Sequence, residues 1–443
     1  MDRLPAEILL LIADQFLFIF SAQRCQLLQV CRRWRSVLFH AVYDRILVRQ
    51  HRLPSLMRAI AINPSIGSSI KHLRIIPHYV PKAQRTTHEV ASFAPLIQHI
   101  SQSPEEVLEW TIALTQDENH AWLGLLLVSL ENLTSLSMTW SGRQPFVRRI
   151  VSRAAMREGP FDTDPILQYL EGFDIDYLDH KDYHVHQQFF PFFHLPSMRS
   201  IRLECVIEST RLRNTTALSL PPAGTSPITS LDLRNGNSNK GMAEYITACA
   251  NLQEFKYQHR NQAIWAEQYI GFRPRAFYHA LVTQKHSLRV LHLNDRGEHD
   301  NDDFSDDEDD AETDDFPGNF FGSLSEFTQL WDLRIPVVNL LSFHLSHGKK
   351  VTTLKQILPR SLKRLYLADF RNEQWDPLLR NLLEVVALRE MFPYLERLEI
   401  QTTAGRLIEQ RGGPPLTVKE AFEPLAAACE KAGIQWSIAQ RRR

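Results

Sequence analysis

The spacing apolar-x-x-apolar-x-apolar recurs along this chain, and an internal repeat constrains a fold more than any other sequence feature. Its middle positions are Leu136, Ile201, Leu231, Phe255, Leu291, Leu333, Leu365 and Leu398. The clearest copies are 288–293, 362–367 and 395–400; 70–75 fits as well, and 107–112 and 170–175 are degenerate candidates. The period-two alternation that closes each copy reads as a short strand with two apolar side chains turned inward. The stretches 375–391 and 245–251 read as helices. One strand and one helix per unit, stacked sideways, predicts an α/β solenoid with a curved parallel sheet inside and helices outside.

On such a sheet the residues between the inward apolar ones face out. They are Arg74, Ser137, Asp174, Arg202, Glu204, Asp232, Arg234, Lys256, His292, Arg334, Tyr366, Arg397 and Glu399. Mixed charge with an occasional aromatic suits selective recognition of a protein, whereas a phosphate backbone calls for one sign. The binding candidates are Arg202, Asp232, Arg234, Lys256, His292, Arg334, Tyr366 and Glu399, each of which could equally be part of a solvated strand face.

Residues 1–50 carry a different pattern. Pro5 stands where a helix accepts proline, because the missing amide hydrogen falls in the unsatisfied first turn. Leu4, Ile8, Leu11, Ile12, Phe16 and Ile19 then follow a three-to-four spacing that predicts one broad apolar face. Ser21 offers a cap for a second helix carrying Cys25, Leu28 and Cys31, with Arg32 or Arg35 on its basic side and Trp34 three residues after Cys31. A third apolar stretch runs through Val37, Leu38, Ala41, Val42, Tyr43 and Ile46. A helical trio this small cannot hide its apolar surface alone and should lean on a partner and on the following domain.

The words Leu4-Pro5-Ala6-Glu7-Ile8 and Leu27-Leu28-Gln29-Val30-Cys31-Arg32-Arg33-Trp34-Arg35, in this order and spacing, resemble the F-box over Leu4 to about Val48. The resemblance implies docking onto the Skp-type adaptor of a cullin-RING ubiquitin ligase through Leu4, Pro5, Ile8, Leu28 and Val30. It also implies that Cys31 and Trp34 serve the motif's own packing. The aromatic segment from Phe16 to Phe20 departs from the usual pattern. The repeats over 51–443 resemble leucine-rich repeats, irregularly spaced: adjacent middle positions lie 24 to 42 residues apart. The asparagine or cysteine expected three residues past the last strand leucine is missing, and Arg296, Val338, Phe370 and Thr403 stand there instead. Together the two resemblances imply a receptor that holds an unnamed client protein for ubiquitylation; an adaptor-bound scaffold acting without ubiquitin transfer is the alternative.

The formal charge of −1 hides a segregation, because 295–315 holds 13 acidic residues against Arg296 alone. That run cannot bury enough apolar surface to order itself, so 295–316 is expected to be a disordered insertion between repeats, with Ser305 as an acidophilic phosphorylation candidate. The remaining chain carries 49 Lys and Arg against 38 Asp and Glu, but diluted and without aromatic interleaving, so no nucleic acid is expected. The cysteines at 25, 31, 205, 249 and 429 are odd in number and scattered, which fits a reducing compartment. The apolar run from Ile8 to Phe20 is interrupted by Asp14 and Gln15 and is too short to span a bilayer. A cytoplasmic or nuclear protein without membrane attachment is expected.

His180, His184, His186 and His194 could bring two imidazoles together, but Phe189, Phe190, Phe192 and Phe193 with Pro191 and Pro196 make the neighbourhood an apolar loop, and no metal is expected. No nucleophile elbow, phosphate-binding glycine loop or dinucleotide fingerprint appears, so neither catalysis nor a cofactor is expected. Near the carboxyl end Val418, Phe422, Leu425, Ala426 and Cys429 have helical spacing, closed by Gly433, and predict a capping helix near 417–431.

Overall fold

The computed structural model describes residues 4–15, 25–78, 89–140, 144–176, 183–208, 218–260, 271–295, 319–341, 352–371, 374–402, 407–408 and 414–440. The segments expected to form an aromatic helix end (Phe16 to Phe20), the Ser21 cap, His180, most of the acidic insertion with Ser305, and the terminal arginines lie outside these residues. The chain divides into two compact units: residues 1–204 with 213–222 and 226–228, and residues 205–212 and 223–225 with 229–443.

The first unit opens with helix α1, Ala6–Gln15, whose first bond is accepted by the carbonyl of Pro5 from the amide of Leu9. Of the second expected helix the described residues include α-helical Cys25 and Gln26, followed by a 3-10 turn, Leu27–Gln29, and the chain breaks at Cys31. Extended backbone at Cys31 (φ −163°, ψ 169°) lets its Sγ accept the amide of Trp34 at 3.5 Å, and helix α2, Arg32–Tyr43, starts there. Trp34 therefore belongs to the same helix as Val37, Leu38 and Val42. The side chains of Leu9, Trp34, Leu38 and Val42 form the core of this small domain, with Leu4, Cys25, Leu27, Leu28, Cys31 and Val37 packed on it.

Ile46 does not extend the helix. It lies in strand β1, Arg45–Arg49, which pairs in parallel with β2, His72–Ile76. Strands β3 (Ser135–Thr139), β4 (Gly172–Asp176) and β5 (Ser200–Glu204) continue the parallel ladder. One register row runs Ile46, Leu73, Leu136, Phe173, Ile201, all turned into the core. The degenerate copy at 107–112 is not a strand: it lies in the helix Pro104–Thr115. Ser103 caps that helix by accepting the amide of Glu106, Pro104 supplies a pre-set φ, and the buried positions Glu106, Trp110, Ala113 and Leu114 have the helical period that outweighed the strand-like one.

The second unit repeats the scheme with seven parallel strands: β6 Ser230–Gly236, β7 Glu254–His259, β8 Val290–Asp295, β9 Asp332–Pro336, β10 Arg364–Phe370, β11 Arg397–Thr402 and β12 Gln435–Gln440. Its core row is Leu231, Phe255, Leu291, Leu333, Leu365, Leu398 and Trp436, each paired with the next. Six of these are the middle positions read from the sequence. Helices Ala243–Ala248 and Trp375–Ala387 stand where helices were expected. The expected capping helix is two, Val418–Ala421 and Glu423–Ala432, the second closed by Gly433 in the left-handed region, and the chain then adds β12 beside β11.

The asparagine absent from its usual place occurs one residue later in two repeats. Asn237 and Asn339 are buried and donate through Nδ2 to the carbonyls of Arg260 (3.3 Å) and Asn319 (2.9 Å). Elsewhere Gln284 takes over: its Oε1 accepts the amide of Leu252 at 3.0 Å while its Nε2 donates to the carbonyls of Cys249 (2.9 Å) and Ile246 (3.3 Å). A buried backbone turn needs its polar groups satisfied, and a carboxamide with both donor and acceptor can do this from the neighbouring repeat.

Candidate functional site

Two surfaces carry the candidate residues. The first lies on the helical domain of the first unit. Leu9, 1% exposed, is the residue of α1 that fills the core, whereas Ile8 (41%), Leu10 (40%) and Leu11 (58%) stand open, and Val30 after the 3-10 turn is 53% exposed. The apolar face read from the sequence, which needed a cover, included Ile8 and Leu11, and both stand open; Leu9, which that spacing omitted, is the residue that packs inward. Of the adaptor candidates, Pro5, Ile8 and Val30 are exposed, while Leu4 and Leu28 are half-buried against the domain's own core. Cys31 caps α2, and Trp34 is buried beneath it. Arg33 ties the two helices by donating from Nη2 to the carbonyl of Leu4.

The second surface is the open face of the strands. In the first unit Leu47, Arg74, Ser137, Asp174 and Arg202 share one register row, and Nη1 of Arg202 lies 3.5 Å from Oδ2 of Asp174. In the second unit the row is Asp232, Lys256, His292, Arg334, Tyr366, Glu399 and Ser437. Neighbouring strands stand about 4.8 Å apart, so these side chains form a continuous band. The structure thus brings six of the eight candidates together. Arg202 belongs to the first unit, and Arg234 turns back along its own strand to Asp232 (Nη2 to Oδ2, 2.9 Å).

Period-two geometry explains the electrostatics of this face, because residues two apart on a strand point the same way. Lys256 meets Glu254 at 3.1 Å and Arg397 meets Glu399 at 2.9 Å. Asp332 lies 3.1 Å from Nε2 of His292 and 3.8 Å from Nη1 of Arg364, whose guanidinium also stands 5.4 Å from the ring centre of Trp331. Glu254, Asp332 and Arg364 were missed as site residues; they sit two before the named band positions and could have been found by extending the alternation backwards. Arg334 differs from its neighbours in that its guanidinium carbon stands 4.2 Å from the ring centre of Tyr366.

Among the histidines singled out in the sequence, His184 and His186 are buried. Burial pushes the imidazole of His184 down to about 4, which keeps it neutral at physiological pH. All five cysteines are free thiols, and burial pushes Cys249 up to about 12, far from a reactive thiolate. Among the described residues no helix is long and apolar enough to cross a membrane.

A capped three-element helical domain feeding directly into stacked parallel strands defines an F-box protein with leucine-rich repeats. Comparison with known families agrees: an F-box-like model matches residues 1–49, and a leucine-rich repeat domain model matches residues 100–406. The chain belongs to the leucine-rich repeat family, in the form that carries an F-box. No curated protein matches it significantly.

Proposed function

We propose that this chain is the substrate-recognition subunit of a Skp-cullin-F-box type ubiquitin ligase, working in the cytoplasm or nucleus. The F-box surface binds the Skp-type adaptor, and through it the cullin-RING core, while the strand face receives a client protein. The chain performs no bond chemistry of its own. Its contribution is proximity, since a client lysine held near a charged conjugating enzyme reacts at a raised effective concentration.

The observation that carries this reading is that Ile8, Leu10, Leu11 and Val30 are each apolar and open on a domain that buries only a small core of its own. Covering such side chains is the ordinary driving force for association. Co-purification of a Skp-type adaptor with the wild type and with Ile8→Asp/Val30→Asp tests it. Both residues are exposed, so the variant should stay folded yet lose the adaptor. Equal recovery from both proteins would overturn the reading. A triple Leu4→Ala/Pro5→Ala/Ile8→Ala variant extends the test to the start of the motif.

A further inference from the structure

The geometry points to an anion-binding position on the strand face of the second unit: the guanidinium of Arg334, seated on Tyr366, receives an acidic side chain of the client peptide. This inference rests on the reading of that face as the client surface and names what the client must present there.

Four other cationic side chains of this face already have a carboxylate. Arg234 has Asp232, Lys256 has Glu254, Arg397 has Glu399, and Arg364 has Asp332. Arg334 has none within 4.0 Å among the described residues, and its Nε is shielded from solvent without a hydrogen-bond acceptor. In the register row it follows Lys256 and His292, so three basic positions stand on adjacent strands. The carboxylates that answer Lys256 and His292 lie one row towards the strand starts, on Glu254 and Asp332, which leaves the positive charge at Arg334 unanswered.

Tyr366 gives that charge a fixed platform. A guanidinium held over an aromatic ring by cation–π attraction keeps the in-plane N–H groups of its edge for a ligand, and carboxylate or phosphate oxygens match that fork two at a time. Ordering the long side chain before the ligand arrives removes part of the entropy that binding would otherwise cost. The shared chemistry is a pair of anionic oxygens on a peptide side chain, supplied by glutamate or aspartate or by a phosphorylated serine.

Fluorescence anisotropy on the full chain tests this with three labelled peptides of equal length: one rich in glutamate, one with every glutamate replaced by glutamine, and one carrying phosphoserine at the same positions. An anionic peptide should bind about tenfold or more tighter than the glutamine peptide at low salt, and the preference should shrink as salt rises. Arg334→Gln should abolish the preference and Arg334→Lys, which keeps the charge without the fork, should retain only part of it. Tyr366→Leu should weaken it, and Arg380→Gln, on the helix Trp375–Ala387 and already paired with Asp376, should change it by less than about twofold. A gain with phosphoserine alone assigns the position to a modified client, and a gain with both anionic peptides assigns it to carboxylates. Absence of any preference in the wild type, or its full survival in folded Arg334→Gln, would overturn the proposal. Adaptor recovery is independent of these outcomes: Arg334→Gln should still carry the adaptor, and Ile8→Asp/Val30→Asp should still bind the anionic peptide.

Discussion

Arg153 holds Glu106 through both carboxylate oxygens, Nη1 to Oε1 at 2.9 Å and Nη2 to Oε2 at 2.8 Å, in the helical layer of the first unit. Burial raises the carboxyl's affinity for a proton, but the Arg153 fork, the amide of Gln102 and the indole of Trp110 outweigh it, so the group sits below its ordinary value. A folded carboxyl depressed in this way adds stability above its unfolded pKa and loses it as pH falls through the folded value. Glu106→Gln should cost about 3 kcal/mol at neutral pH, because it leaves Arg153 in a half-buried site without its counter-charge. The cost should shrink in acid. Urea unfolding at pH 7 and pH 4 measures both.

His184 contributes a second acid slope with a defined window. Its imidazole is held at about 4 in the fold against an ordinary 6.5, so the unfolded chain takes up a proton that the folded one refuses. The associated stability is complete above about 6.5 and is lost as pH falls towards 4, a change of about 3 kcal/mol. His184→Leu should make the unfolding free energy less steep across that interval, leaving the smaller slopes of His51 and His72, which burial also lowers, and of the carboxylates. A variant as acid-sensitive as the wild type would contradict the assignment.

The side-chain amide of Gln284 has three partners on the turn of the preceding repeat, and its Oε1 also accepts the hydroxyl of Ser287 at 3.2 Å. Gln284→Leu preserves much of the volume but strands the buried amide of Leu252 and the carbonyl of Cys249, while the carbonyl of Ile246 keeps the amide of Cys249, and should destabilise by about 2 kcal/mol. Gln284→Glu, which cannot donate from its second oxygen, should be no better. Hydrogen exchange at Leu252 should accelerate in both.

Adjacent residues of α1 should behave in opposite ways. Leu9 is packed with Trp34 and Leu38, so Leu9→Ala should cost about 2–4 kcal/mol of stability in the helical domain. Ile8→Ala should cost less than about 0.5 kcal/mol, in line with a surface change, while weakening adaptor recovery. Thermal melts beside pull-downs separate the two effects.

How much of this was legible beforehand depended on whether local chemistry or distant partners decided the outcome. The row from Leu231 to Leu398 was readable because period-two alternation requires only the residues themselves, and the structure pairs each middle position with the next. Strand Arg45–Arg49 was not readable: Ile46 continues the helical spacing of α2, and only pairing with Leu73 draws it into the sheet. Strand Gln435–Gln440 carries Trp436 where the other strands of the second unit carry leucine or phenylalanine, which hid it. On the strand face the positions could be listed from alternation, but the pairing of Arg234, Lys256 and Arg397 with their own strands, and the placement of Arg334 on Tyr366, depend on neighbouring strands and side-chain direction. Likewise Ile8 and Leu9 could not be assigned to outside and inside from α1 alone, because its first turns are apolar almost all round.

Asp44 is the single residue between helix α2 and strand β1, and its carbonyl accepts the amides of both Lys71 and His72 at 2.9 Å. The helical domain is therefore phased to the sheet by chain length. One residue added at this joint would rotate the helix by about 100° about its axis, swinging Ile8 and Val30 to a new azimuth while β1 stayed fixed to β2. Elsewhere the turns between repeats can absorb insertions at small entropic cost, as their unequal lengths attest. At Asp44 the same insertion would re-aim the helical domain relative to β1, so this joint tolerates a change in length poorly.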